Sequence, residues 1–247
     1  MASERLPGKA LLEILGLPMV EHVRRRGLMN KYGIPVYVAS GDPQILDTVQ
    51  KFQGKIVRTH EEHPNGLSRV YEVSKELEFT HYIILQGDEV LILPEQIDSL
   101  IEAITANPQV HFWNQVTPLL VEDEIDDVNV VKCILDTKGQ IITIFRKSPL
   151  TTEKQTQLKL LKKICGLFAV SAEAMKTICE NPATPIGVAE SIEQMKFLEL
   201  GGKLKSIETD QNFTSVNLPS DVESVKRTIE TSIIQKNLVK LVLGHAN

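Results

Sequence analysis

Arg5 and Lys9 stand four residues apart in the segment Ser3-Glu-Arg-Leu-Pro-Gly-Lys9, with Pro7 and Gly8 between them. Proline stiffens such a loop and glycine lets backbone approach a ligand closely, so both cations can face phosphate oxygens. The segment is not a Walker A loop, which needs G-x-x-x-x-G-K-[ST], because Lys9 is followed by Ala10. About eighty residues later the apolar run Tyr82–Leu85 ends in Gln86-Gly87-Asp88-Glu89. A carboxylate at the carboxyl end of a buried strand lies where open α/β sheets bind ligands. There it can hold Mg²⁺ between an α-phosphate and a nucleophile. Taken singly, each segment also has a plainer reading: a solvated basic turn, and an aspartate that caps the next turn.

The elements that must position these groups alternate. Ile34–Ala39, Lys55–Val57 and Tyr82–Leu85 are short and rich in β-branched residues, as strands buried on both faces should be. Helices are expected over 19–32, 43–52, 66–77 and 94–106, the last opening on Pro94. This alternation implies βαβ units and a parallel sheet. Strands are then expected over 110–118, 130–135 and 141–145, the last two joined by the turn Asp136-Thr-Lys-Gly139. With the polar stretch 151–163, a mobile loop or short surface helix, they suggest an antiparallel insertion over about 110–170 within one continuous domain, 1–247. Two long helices, 189–201 and 219–236, flank a returning strand at 204–207. The fold class is α/β: a Rossmann-like, mixed sheet with helices on both faces.

Bulk properties narrow the function. A net charge of −5 argues against a general nucleic-acid binder, and no run of eighteen apolar residues offers a membrane span. No apolar signal segment opens the chain, and Cys133, Cys165 and Cys179 match no zinc spacing, so reduced thiols in a cytosolic protein are expected. Arg24-Arg25-Arg26 reads as a solvated helix face and Trp113 as core or interface; His60 and His63 lack a third metal ligand.

Lys9-Ala-Leu-Leu-Glu-Ile-Leu-Gly-Leu-Pro-Met19 extends the first loop into a run that resembles R-L-P-G-K-x-L-x-x-I-x-G-x-P-M of the sugar-acid cytidylyltransferases, most closely the 3-deoxy-manno-octulosonate (Kdo) cytidylyltransferases. Leu91-Ile-Leu-Pro94 and Glu190-Ser-Ile-Glu193-Gln194-Met-Lys-Phe-Leu198 match further family segments, so the likeness spans nearly the whole chain. It implies that Ser3, Arg5 and Lys9 bind the triphosphate of CTP, that Asp88 holds Mg²⁺ beside Gln86, and that Gly66 and Arg69 lie near the nucleotide or the sugar carboxylate. It implies that Glu193 and Gln194 bind sugar hydroxyls, with Lys147 (or Arg146) standing in for a family arginine. A CMP-sugar and pyrophosphate would be the products, made by a cytoplasmic homodimer.

The chain also departs from the family. The second metal carboxylate of V-D-T-P-E-D falls on Asn217, which binds Mg²⁺ without adding negative charge, while Asp221 reads as a helix N-terminal residue. A family histidine and tyrosine become Ile164 and Phe168, leaving fewer polar contacts for the sugar. The strand and P-A-R segment that precede the family loop are absent from this sequence, which predicts either a start upstream or a weakened, rearranged sheet. A paralogue that binds nucleotide or sugar without turnover is the alternative these departures favour.

Overall fold

A computed structural model describes residues 8–212 and 214–244. In chain order these form a single turn of 3₁₀ helix at Lys9–Leu11, then β1 (Glu13–Ile14), β2 (Leu17–Pro18), α1 (Met19–Leu28), β3 (Tyr37–Ser40), α2 (Pro43–Lys51), β4 (Lys55–Arg58) and α3 (Gly66–Val73). β5 (His81–Leu85), α4 (Pro94–Ala106), β6 (Phe112–Pro118), α5 (Asp123–Asp126), β7 (Lys132–Leu135) and β8 (Gln140–Phe145) follow. The chain continues through α6 (Lys154–Leu160), β9 (Leu161–Ser171), α7 (Ala172–Glu180), α8 (Pro185–Glu190), α9 (Glu193–Glu199), β10 (Leu204–Glu208), α10 (Pro219–Thr231) and α11 (Ile233–Gly244). The described residues divide between two compact units, one drawn from 8–76, 85–98 and 214–244, the other from 77–84 and 99–212.

In the first unit β3 and β4 pair in parallel, joined by α2 in a βαβ step. Gly41 lets the two chains meet beyond β3, since a Cβ there would lie 2.4 Å from the Glu61 Cα. The expectation that these strands are buried on both faces is corrected. Lys55 and Arg58 are exposed and β3 is mostly half-buried, because the two form a sheet of their own. The core of this unit joins distant segments: Met19 and Val23 of α1, Val90 and Leu91, Val216, Val225 and Ile229 of α10, and Val239 of α11.

The arginine run of α1 is a second correction. Arg24, Arg25 and Arg26 are all buried, because other segments of the same unit cover the polar side of the helix. Arg24 donates to both carboxylate oxygens of Glu21, at 2.7 and 2.8 Å, and Arg25 to one at 3.1 Å. Arg25 also donates to the Val242 carbonyl in the last turn of α11, where helix carbonyls lack partners, and its guanidinium lies over the Phe52 ring. Arg26, which burial brings down to about 10, donates to the Ile92 carbonyl and the Gln235 side chain. Charge repeated at helical spacing looks solvated only when the covering elements are unknown.

The second unit carries a six-stranded mixed sheet in the order β5-β9-β6-β10-β8-β7. β6 pairs antiparallel with β9 and parallel with β10, and β7–β8 is the expected hairpin, its turn closed by Gly139 N–H donating to the Asp136 carbonyl. β9, at eleven residues the longest strand, and α7 behind it are elements the sequence reading missed. Phe112 packs between Phe168 and Phe197, with centroids 5.5 and 5.4 Å away. Cys133 is a buried free thiol whose pKa burial pushes up to about 12, and Cys165 and Cys179 are free as well.

Two expected helices are each broken in two. The first stops at Ser191, which is left-handed at φ 53°, where Arg146 donates to the carbonyls of Glu190 (2.7 Å) and Ser191 (3.3 Å). The second stops at the extended Ser232, whose hydroxyl caps α11 by accepting the Gln235 amide at 3.4 Å. No helix among the described residues is long and apolar enough to cross a membrane.

Glu21→Gln leaves two buried guanidinium groups short of their counter-charge and should cost about 3 to 5 kcal/mol in urea unfolding. His22, also buried on α1, donates its Nε2 proton to the Ile14 carbonyl at 2.6 Å, and burial first, then Arg26 and Arg25, lowers its pKa from 6.5 to about 4. The unfolded chain therefore takes up a proton at a higher pH than the folded one. The contribution of neutral His22 is complete above pH 6.5 and is lost as pH falls toward about 4, a change of about 3 kcal/mol. Stability measured across that window should flatten in His22→Gln.

Candidate functional site

Gly8 adopts a left-handed conformation (φ 70°, ψ 11°) that favours glycine, and it starts the helical turn from which Lys9 extends. Lys9 Nζ lies 2.7 Å from Asp88 Oδ2 and donates also to the Val216 carbonyl at 3.3 Å. The Val216 N–H returns a bond to the Asp88 carbonyl at 3.1 Å. Three segments far apart in sequence, at 9, 88 and 216, therefore meet at one carboxylate within the first unit.

The stretch after Asp88 is held from below. Val90, Leu91, Ile92 and Leu93 are buried, and the carbonyls of Leu91 and Ile92 receive Gln235 Nε2 at 2.6 Å and Arg26 Nη1 at 3.0 Å. The Ser215 hydroxyl donates to Glu89 at 2.8 Å, so Gln86–Leu93 is tied both to α11 and to the chain that leads into α10.

Asp88 Oδ1 is buried and unpartnered among the described residues, an acceptor in need of a donor or a cation. Asn217 follows directly on Val216, so its amide belongs to the chain bonded to residue 88. Asp221 is occupied elsewhere, accepting the amides of Asn217 (2.8 Å) and Leu218 (2.7 Å) at the start of α10. No group of three or more His, Cys, Asp or Glu side chains able to hold a metal occurs among the described residues. One carboxylate and one amide oxygen do suit Mg²⁺, which commonly takes one or two protein ligands and completes its shell with phosphate oxygens and water. At Gly87 a Cβ would meet nothing within 4 Å and the conformation is not left-handed, so packing and backbone strain leave that position free for a larger residue. Glycine there suits close approach of a ligand.

Gly66 opens α3 after Asn65, which forms a reciprocal cap with Ser68. Arg69 donates to the Thr59 hydroxyl and to the carbonyls of His60 (2.9 Å) and Glu61 (3.1 Å), binding residues 59–61 to α3. Glu72, one turn on, accepts from the His60 amide and from His63 at 2.6 Å, which against the opposing effect of burial hold its carboxyl below the usual carboxylate range. Arg69 is thus engaged in holding its own loop. Gln86 is exposed, its carbonyl accepting the Glu89 amide. Ser3 and Arg5 lie outside the described residues.

The second unit holds the remaining expected residues. Glu193 and Gln194 open α9, Glu193 half-buried and Gln194 buried with its Nε2 donating to Asn114 Oδ1 at 3.1 Å. Lys147 is exposed, whereas Arg146 spends its guanidinium on backbone carbonyls. Phe168 lies fully buried in the aromatic cluster, and Ile164 stands opposite Val116 on the sheet. Sequence reasoning missed Asn114, a buried amide in the strand expected over 110–118; with Gln115 and Thr117 in the same strand, nothing in one dimension singled it out.

The model of the cytidylyltransferase family matches residues 1–207. A 3-deoxy-manno-octulosonate cytidylyltransferase of Chlorobium limicola is 31% identical over 233 residues, covering 93% of this chain and 94% of that protein. The enzyme of the same name from Zea mays is 34% identical over 243 residues, covering 95% of this chain and 80% of its own. Among solved structures, a CMP:2-keto-3-deoxy-manno-octonic acid synthetase complexed with CTP superposes with a TM-score of 0.85 at 28% identity, over 92% of this chain and 94% of that one.

The Lys9–Asp88 pair is mostly buried. Lys9→Met leaves the Asp88 carboxylate without its donor and should cost about 1 to 3 kcal/mol in urea unfolding, whereas Asp88→Asn keeps an oxygen to accept from Lys9 and should cost about 1 kcal/mol.

Proposed function

The chain belongs to the cytidylyltransferase family and is a nucleotidyltransferase, and from that premise we propose that it transfers CMP from CTP to a 2-keto sugar acid of the 3-deoxy-manno-octulosonate type. The observation that carries this reading is the meeting of Lys9, Asp88 and the Val216–Asn217 chain at one carboxylate with an unpartnered buried oxygen. A cation, an anion and an amide gathered within one unit are what a metal-bound triphosphate needs.

Asp88 and Asn217 would hold Mg²⁺. The ion would supply charge neutralisation on the phosphates and favour ionisation of the attacking hydroxyl. Lys9 leaves Asp88 for the phosphates when CTP binds, and Ser3 and Arg5 join it there. Gln86 and Gly66 contribute to nucleotide binding, and Arg69 lies toward nucleotide or sugar carboxylate. Glu193, Gln194 and Lys147 bind the sugar acid. The anomeric oxygen forms the new bond to the α-phosphorus, and the bridging oxygen departs with pyrophosphate. Such a displacement is driven by positioning and charge stabilisation, with no covalent nucleophile. The reading includes a homodimer and a cytoplasmic place of action, both resting on the resemblance alone.

The test is pyrophosphate release from CTP and Kdo in the presence of Mg²⁺. The wild-type protein should turn over, and Asp88→Asn should lower kcat by about 10² to 10³ while remaining folded. Asn217→Asp restores a second negative ligand and should reduce the Mg²⁺ concentration for half-maximal rate by roughly tenfold. No turnover with CTP and any 2-keto sugar acid, alongside calorimetric binding of nucleotide or sugar, would leave a binder without catalysis.

A further inference from the structure

Asn114 is fully buried on β6, with Phe168 opposite it on β9 and Ser206 beside it on β10. Its Nδ2 donates to the main-chain carbonyls of Gln115 at 2.8 Å and Cys165 at 3.1 Å. Carbonyl oxygens only accept, so these two contacts fix which end of the amide is nitrogen. Asn114 Oδ1 is therefore an acceptor, and it takes the Nε2 proton of Gln194, eighty residues away, at 3.1 Å. That contact sets the second amide in turn. Gln194, only 6% exposed, keeps its nitrogen inward and has its oxygen left to present.

Two backbone carbonyls thus decide, through Asn114, whether α9 offers a hydrogen-bond acceptor or a donor. In the β6–β9 register Asn114 stands opposite Phe168 and Val116 opposite Ile164, so the amide shares a sheet face with Phe168. Among the described residues Asn114 is the partner of the Gln194 amide, so this contact sets its orientation. Without Asn114, rotation of the Gln194 amide by half a turn would exchange oxygen for nitrogen at little cost.

We propose that Asn114 is a positioning residue that turns Gln194 Oε1 toward the sugar acid, so that the site selects a substrate hydroxyl able to donate a hydrogen bond at that point. This rests on the sugar-acid reading above. A buried acceptor facing a substrate that lacks the hydroxyl is left unpaired, which is how such sites reject deoxy analogues.

The experiment measures kcat and KM for Kdo and for CTP, together with relative kcat/KM for a set of monodeoxy Kdo analogues, in wild type, Asn114→Leu and Gln194→Met. Wild type should discriminate against one analogue in particular. Asn114→Leu should raise KM for Kdo about tenfold, leave KM for CTP within about twofold, and lose most of its discrimination against that same analogue. Should Asn114→Leu fail to fold, Gln194→Met, which touches no main-chain carbonyl, must lose discrimination against one analogue on its own. A purely structural role would lower the active fraction while leaving both KM values and the discrimination pattern as in wild type. That outcome, or retained discrimination in Gln194→Met, overturns the proposal. Absence of any wild-type turnover with CTP and Kdo instead overturns the sugar-acid reading, and the role of Gln194 with it.

Discussion

The tie between residues 88 and 216, one backbone bond bridged by Lys9, is the constraint on which the first unit depends. The Asp88 carbonyl accepts the Val216 amide, while Lys9 donates to both the Asp88 carboxylate and the Val216 carbonyl. A turn beyond β5 cannot fix a carboxylate alone, because its backbone has few regular partners. Here the partners come from the late chain and from below, where Arg26 and Gln235 satisfy the carbonyls of Ile92 and Leu91. Each buried carbonyl that gains a donor avoids a desolvation cost of about 1 to 3 kcal/mol. The C-terminal helices are thus part of the Asp88 site although they carry none of its chemistry.

The charge of α1 follows from the same arrangement. A helix covered on its polar side must find partners for its guanidinium groups, and Glu21, the Phe52 carbonyl and the Val242 carbonyl at the end of α11 supply them for Arg24 and Arg25. Arg26 pairs with no carboxylate among the described residues and bonds instead to a carbonyl and an amide oxygen. Buried charge of this kind costs stability compared with apolar packing, and it fixes one arrangement of the segments it joins. Neutral His22, wedged between Ile14 and the arginines, belongs to the same closed set and gives it a dependence on pH.

Strand-helix alternation was legible at α2, β4 and α4, where apolar period and an initial proline agree with the observed spans. So were the β7–β8 hairpin, written in Asp136–Gly139, and the loop motifs around Lys9 and Asp88. Contacts at a distance were not legible. The break at Ser191 depends on Arg146, which in one dimension only follows the strand expected at 141–145, and the break at Ser232 on a hydroxyl that caps Gln235 inside what reads as one continuous helix. β9 escaped because Leu161–Ser171 mixes lysines with apolar residues and lacks a clean alternation; its pairing with both β6 and β7 makes it a strand. The fates of Arg24–Arg26 and Asn114 were hidden for the same reason, since burial of a polar side chain is set by what packs over it.

The most direct test of the account is a crystal structure of the protein with CTP and Mn²⁺ in place of Mg²⁺, located by its anomalous signal. The account predicts the ion bonded to Asp88 Oδ1 and the Asn217 amide oxygen, with Lys9 Nζ moved from Asp88 to the phosphates. An ion bound elsewhere, with CTP present and the Lys9–Asp88 pair intact, would contradict it.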